Sequence, residues 1–170
     1  MKTTLIAEIS QTMDELIKIF SSYDQKQLDI TPFEGSWTAG QVAEHIIKSI
    51  SNLPEFLNTN TTATTDRPFD AHVATIRNLF LDFNTKMQSP GFIIPVAIHH
   101  DKTATLESFS SIKMQMINAA ATLDLTPTCK SFEMPGLGFL TRREWLNFFI
   151  VHTKRHTNQL KNICKILNGQ

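Results

Sequence analysis

The sequence predicts an all-α protein, a four-helix bundle with long crossover connections and an additional short helix or irregular segment. Three observations predict it. Apolar residues recur at three- and four-residue spacing through most of the chain, two reciprocal capping patterns open long segments, and strand-like alternation is scarce. The 170 residues suit one domain spanning 1–170. Sixteen basic residues balance sixteen acidic ones, which excludes a polybasic nucleic-acid binder, and 41% hydrophobic residues exclude a disordered chain. No apolar run approaches the roughly 20 residues of a membrane span, and the polar opening Met1-Lys2-Thr3-Thr4 is unlike a signal peptide. A cytoplasmic protein is therefore expected. Cys129 and Cys164 have no CxxC spacing and read as small buried hydrophobes in a reducing compartment.

The stripe Leu5, Ile9, Met13, Leu16 and Phe20 predicts helix one over roughly residues 3 to 22. A loop with Pro32 and Gly35 leads to Thr38 and Gln41, a capping box that starts helix two. Its inward stripe is Val42, His45, Ile46, Ser49, Ile50, Leu53 and Phe56 or Leu57, with Pro54 expected to kink the last turn. The polar run Asn58 to Thr65 is expected to be a loop. Helix three is predicted from Phe69 to Met87 on the spacing of Val73, Ile76, Leu79, Phe80 and Phe83, ending at Ser89-Pro90-Gly91. Two prolines make Phe92 to Ile98 an irregular crossover rather than a strand. Thr103 or Thr105 is expected to cap a fourth helix through Leu106, Phe109, Ile112, Met116 and Ala120. Cys129 to Gly138 is then a loop or short hairpin.

The last helix opens on the capping box Thr141-Arg142-Arg143-Glu144 and meets no Pro or Gly until Gly169. Stepping from Trp145 gives Phe149, His152, His156, Gln159 or Leu160, Ile163 and Leu167, so two histidines occupy core positions. Spaced i,i+4, they stand one turn apart on one face, close enough to grip one cation. Buried imidazoles need hydrogen-bond partners, water or a metal, and each of these answers fits the spacing. His45, inside helix two, is the third candidate. A neutral three-histidine set leaves the charge of a divalent ion uncompensated, as in catalytic rather than structural zinc sites.

These residues resemble the DinB/YfiT-like superfamily of metal-dependent enzymes. Trp37-Thr38-Ala39-Gly40-Gln41-Val42-Ala43-Glu44-His45 matches its Trp-Thr-x-x-Gln-x-x-x-His stretch. His152-Thr153-Lys154-Arg155-His156-Thr157-Asn158-Gln159-Leu160 matches its His-x-x-x-His-x-x-Gln-Leu stretch, and the resemblance spans essentially the whole chain. It implies that His45, His152 and His156 bind a divalent ion (Zn²⁺, Ni²⁺ or Fe²⁺) within a four-helix bundle. It also implies a thiol-S-transferase or hydrolase acting on a small molecule, a low-molecular-weight thiol such as bacillithiol as partner, and a homodimer. Many members carry Glu after the first histidine of the last motif, where this chain has Thr153. Glu44, next to His45, points about 100° away around its helix, so no general base is assigned. The alternative from another class is a non-catalytic helical module that captures a metal or small ligand during stress.

Other candidates have blander readings. His72, His99 and His100 are expected at the solvated surface. Trp37 and Trp145 read as core packing, with a pocket wall as the alternative. Cys164 is rotated about 80° from His156, away from any ligand role. Arg143 or Arg155 is a candidate partner for the carboxylates of a peptide-like thiol.

Overall fold

The computed structural model describes residues 2–64 and 66–169; Thr65, the end of the polar run, lies outside them. Helix α1 (Lys2–Ser21) buries all five residues of its predicted stripe. A 3₁₀ turn at Gln25–Asp29 leads to α2 (Ala39–Ile50), which starts where the sequence places it. Thr38 Oγ1 accepts from the Gln41 amide and Gln41 Oε1 accepts from the Thr38 amide.

Pro54 does not kink α2. The helix ends, Asn52 turns left-handed (φ 57°), and a separate α3 (Leu53–Asn58) begins with Pro54 in its first turn, where a missing N–H costs nothing. The polar run is not wholly loop either, since β1 (Thr61–Thr62) lies in it. Helix α4 (Val73–Leu81) is much shorter than the predicted 69–87 segment, and only Ile76 of its stripe is buried. The Asp82 carboxylate takes the Asn84 amide and the Thr85 hydroxyl, and Arg155 binds the carbonyls of Phe80, Asp82 and Thr85. Both sets of bonds compete with continuation of the helix. Phe83 and Leu79 are left about half exposed.

The 91–100 crossover is irregular apart from a 3₁₀ turn at Gly91–Ile93, as expected. Asp101, not Thr103 or Thr105, caps α5 (Lys102–Thr122): its carboxylate accepts from the Ala104 amide at 2.8 Å, while Thr105 lies inside the first turn and bonds the Asp101 carbonyl. Strands β2 (Thr128–Met134) and β3 (Gly138–Thr141) form the hairpin, and β1 adds antiparallel to the free edge of β2 with Thr61 opposite Cys129. Gly136 and Gly138 supply the positive φ of the hairpin turn. The capping box of Thr141 and Glu144 then starts α6 (Arg142–Asn168).

Helices α1 and α2 each pack against α5 and α6, so the first two helices stand diagonally across a four-helix bundle, with α4 laid on the outside of α6. Leu5, Ile9, Phe20, Val42, Ile46, Phe109, Met116, Ile150 and Leu160 fill the shared core. This arrangement brings the middle of α2 against the middle of α6.

Candidate metal centre

The capping box fixes where α2 begins, and two turns later His45 faces α6, 1% exposed. On α6 His152 is 5% exposed and His156 half-buried, one turn apart. The three side chains expected to share a point do so: the Nε2 of His152 lies 3.1 Å from that of His45 and 3.2 Å from that of His156. One nitrogen from each ring falls within 4.8 Å of the others. No other histidine, cysteine or carboxylate joins this group among the described residues.

Hydrogen bonds on the far side of two rings fix their tautomers. His45 Nδ1 meets the Ile93 carbonyl at 2.9 Å and His156 Nδ1 meets Gln159 Oε1 at 2.9 Å. Both partners only accept, so each Nδ1 carries the hydrogen and each Nε2 presents a lone pair inward. His152 Nδ1 is buried without a partner among the described residues. Its ring is held by Phe148 (centroids 5.2 Å apart) and Phe80 (6.2 Å) instead. At most one hydrogen, on His152, is available for the two Nε2···Nε2 contacts, so at least one sets lone pair against lone pair. A divalent cation removes that conflict. Two nitrogens about 2.0–2.1 Å from one tetrahedral ion stand roughly 3.3 Å apart, close to the observed spacing. The donor set therefore fits a borderline divalent metal.

Burial keeps the rings in the ligating, neutral form. It lowers the pKa of His45, takes His156 down to about 3 with help from His45, and holds His152 well below the ordinary 6.5 with help from both neighbours.

The triad sits in the wall of a cavity of ≈ 1420 Å³ that Trp37 and Trp145 both border; Trp145, 3% exposed, is packed in the core as expected, and Trp37 lies half-buried against it. Among the described residues no carboxylate lines it. Glu44 faces away from it, as its helix position predicted, but has a definite task. Its carboxylate accepts the Val96 and Ala97 amides, each at 3.1 Å, and pairs with Lys48 at 2.7 Å, while Lys48 also donates to the Ile94 carbonyl. Burial pushes this carboxyl up, yet Lys48, the two amides and His100 outweigh it and bring its pKa down to about 2. Glu44 thus clamps the crossover that carries the Ile93 carbonyl onto His45.

Two expectations fail. His100 is not a surface residue: its ring, 8% exposed, lies between Asp29 (2.7 Å) and Glu44 (3.3 Å), because the crossover folds back over the start of α2. His99 is exposed as expected. Arg155, in the cavity wall, is spent on three backbone carbonyls, and Arg143 lies outside that wall, so neither is placed to meet a thiol's carboxylates in the cavity. Neither Cys129 nor Cys164 reaches the cavity, and burial raises the Cys129 thiol to about 11. Of the residues that sequence reasoning left without a role, Gln159 had a signal, its position one turn beyond His156. The Ile93 carbonyl had none, since any residue carries one.

Comparison with known proteins agrees with this geometry. A model of the DinB superfamily matches residues 8–160. Proteins of Bacillus cereus and Bacillus anthracis, provisionally named metal-dependent hydrolases, are each 27% identical over 166 residues, covering 97% of this chain and 86% of theirs. Among solved structures, YfiT from Bacillus subtilis superposes with a TM-score of 0.63 at 16% identity, over 98% of this chain and 87% of its own. That protein is provisionally described as a metal-dependent hydrolase with an unusual four-helix bundle topology.

Proposed function

Because the chain belongs to the DinB superfamily, we propose that it is a one-domain, metal-dependent enzyme acting on a small molecule, with His45, His152 and His156 holding the divalent ion. The observation that carries this reading is the convergence of three Nε2 atoms that share at most one hydrogen. When bound, a divalent ion supplies Lewis acidity at the inner end of the cavity, enough to favour the deprotonated form of a thiol or water at neutral pH.

The protein's own groups do the positioning. The Ile93 carbonyl and Gln159 Oε1 hold two Nδ1 hydrogens and so keep two rings from turning. Phe148 and Phe80 hold the third and limit water around it. That no carboxylate lines the cavity among the described residues favours thiol transfer to an electrophilic carbon. In that reaction the thiol gives its proton to solvent, sulfur bonds to carbon, and the leaving group departs with its electron pair. Hydrolysis is the second reading, favoured by the names of the Bacillus relatives. A reducing compartment and a homodimer complete the proposal, supported by the free Cys129 and Cys164 and by the exposed Val96 and Ile98 respectively.

Protein purified without a histidine tag and loaded with Zn²⁺, Ni²⁺ or Fe²⁺ tests the reading. Elemental analysis is expected to give a metal-to-chain ratio near unity, and turnover of a small thiol with chlorodinitrobenzene is expected to drop to background in His156→Ala. A ratio near zero with all three ions overturns the metal site. Turnover untouched by the substitution overturns the enzymatic claim, and metal without turnover of any acceptor leaves the non-catalytic module.

A further inference from the structure

The cavity wall holds a second kind of information, independent of the histidines. Phe92, 68% exposed, marks the mouth and stacks edge-on against Phe132 with ring centroids 5.7 Å apart. Phe132 reaches Trp145 at 6.0 Å, Trp145 reaches Phe148 at 5.4 Å, and Phe148 lies 5.2 Å from the ring of His152. Phe56 completes the surface at 4.9 Å from Trp145. A continuous chain of rings therefore leads from solvent to the inner end of the cavity.

Such a surface suits two ligand chemistries, another aromatic ring or a cation seated over ring faces. Charge decides between them. No carboxylate lines the cavity among the described residues, whereas Lys48, Lys86 and Arg155 do; Lys48 is neutralised by Glu44 behind the wall, which leaves Lys86 and Arg155. A bound divalent ion would add further positive charge. A cation entering there loses its hydration and finds no lining carboxylate among the described residues to pair with, which outweighs the cation–π gain of roughly 0.5–2 kcal/mol. A neutral or anionic ring meets no such penalty. Size adds a further point: ≈ 1420 Å³ exceeds the roughly 300–1,000 Å³ usual for one small ligand, leaving room for a second reactant beside the ring.

We propose that the electrophilic substrate of this site is a neutral or anionic aromatic small molecule, seated against the half-buried Phe132 and Phe148, which the buried Trp145 backs, with its reacting carbon toward the three imidazoles. The inference rests on the catalytic reading above for the word substrate, but the ring-binding surface stands without a metal. It makes Phe132 a specificity-determining residue, with Trp145 behind it as packing.

Titration calorimetry on chelator-treated and Zn²⁺-loaded protein tests it with 2-naphthol, 2-naphthoate, 2-naphthylmethylammonium and the saturated analogue 2-decalol. Saturable binding of 2-naphthol is expected in both forms, about tenfold or more tighter than the ammonium. It is also expected to be about tenfold tighter than the decalol. Phe132→Ala and Phe92→Ala, each checked for a wild-type circular dichroism spectrum, are expected to weaken naphthol binding while leaving Zn²⁺ stoichiometry at the wild-type ratio. Ammonium binding as tight as naphthol, decalol binding as tight, or naphthol binding unchanged in both folded variants overturns the inference. Zn²⁺ loading without naphthol binding overturns it alone. Naphthol binding without Zn²⁺ loading supports the ring surface and overturns the metal reading instead.

Discussion

Two buried histidines and a third half-buried one cost free energy unless every ring nitrogen is satisfied, and here the partners were distributed unequally. His45 and His156 each give an Nδ1 hydrogen to a fixed acceptor, while His152 relies on packing by aromatic rings. Gln159 is the accessible test of this division. Gln159→Leu removes the acceptor on His156, frees the ring to turn, and is expected to weaken Zn²⁺ binding by about 10- to 100-fold in chelator competition, with stoichiometry intact at saturating metal. Unaltered affinity would show that packing alone orients His156. The i,i+4 spacing on α6 was legible in the chain because helical periodicity is local. The capture of His45 by the Ile93 carbonyl was not, because that contact joins residues 48 apart through an irregular crossover.

Helix starts were the most legible elements, since a capping box is complete within four residues: Thr38 with Gln41 and Thr141 with Glu144 both form as read. Helix ends were less so. The 69–87 segment has helical spacing throughout, but the Asp82 turn and the Arg155 guanidinium claim the backbone groups past Leu81. Competing tertiary bonds of that kind leave no local pattern. Gly40, inside α2, shows the same conflict energetically. Gly→Ala within a helix ordinarily stabilises by roughly 0.5–1 kcal/mol, yet a Cβ at Gly40 would stand 2.3 Å from Nδ1 of His100, a ring clamped between Asp29 and Glu44. The steric penalty, about 1–3 kcal/mol, outweighs the propensity gain. Gly40→Ala is therefore expected to lower the urea midpoint and to loosen the crossover, seen as faster proteolysis near residues 94–100. A stabilised variant would mean that His100 swings aside freely.

Across the whole molecule, the long connections are tied down by charge pairs as well as by apolar packing. Arg67, in the linker before α4, forms a two-pronged pair with the fully buried Glu144 at the start of α6, at 2.6 and 2.8 Å. Burial alone pushes the Glu144 carboxyl up, but Arg67 and the amides of Thr141 and His72 outweigh it and leave its pKa below the ordinary 4.5. A carboxyl depressed by folding contributes stability above its unfolded value and loses it as pH falls from there through the folded value. Glu144→Gln is thus expected to cost about 3 kcal/mol at pH 7 and progressively less below about pH 4. Urea unfolding of both proteins at pH 7 and pH 3.5 measures the difference, and an equal gap at the two values would rule out the ion pair as its source. The sequence by itself determined an all-α chain, the two capped helices and the three imidazoles, because spacing, caps and the amphipathic stripe are properties of neighbouring residues. Only the tertiary structure decided that α1 and α2 stand diagonally, that β1 joins the hairpin, which acceptors fix the tautomers, and that the rings from Phe92 to Phe148 line one cavity without a carboxylate among the described residues. Those facts depend on which distant segments exclude water from one another, and no stretch of chain carries that alone.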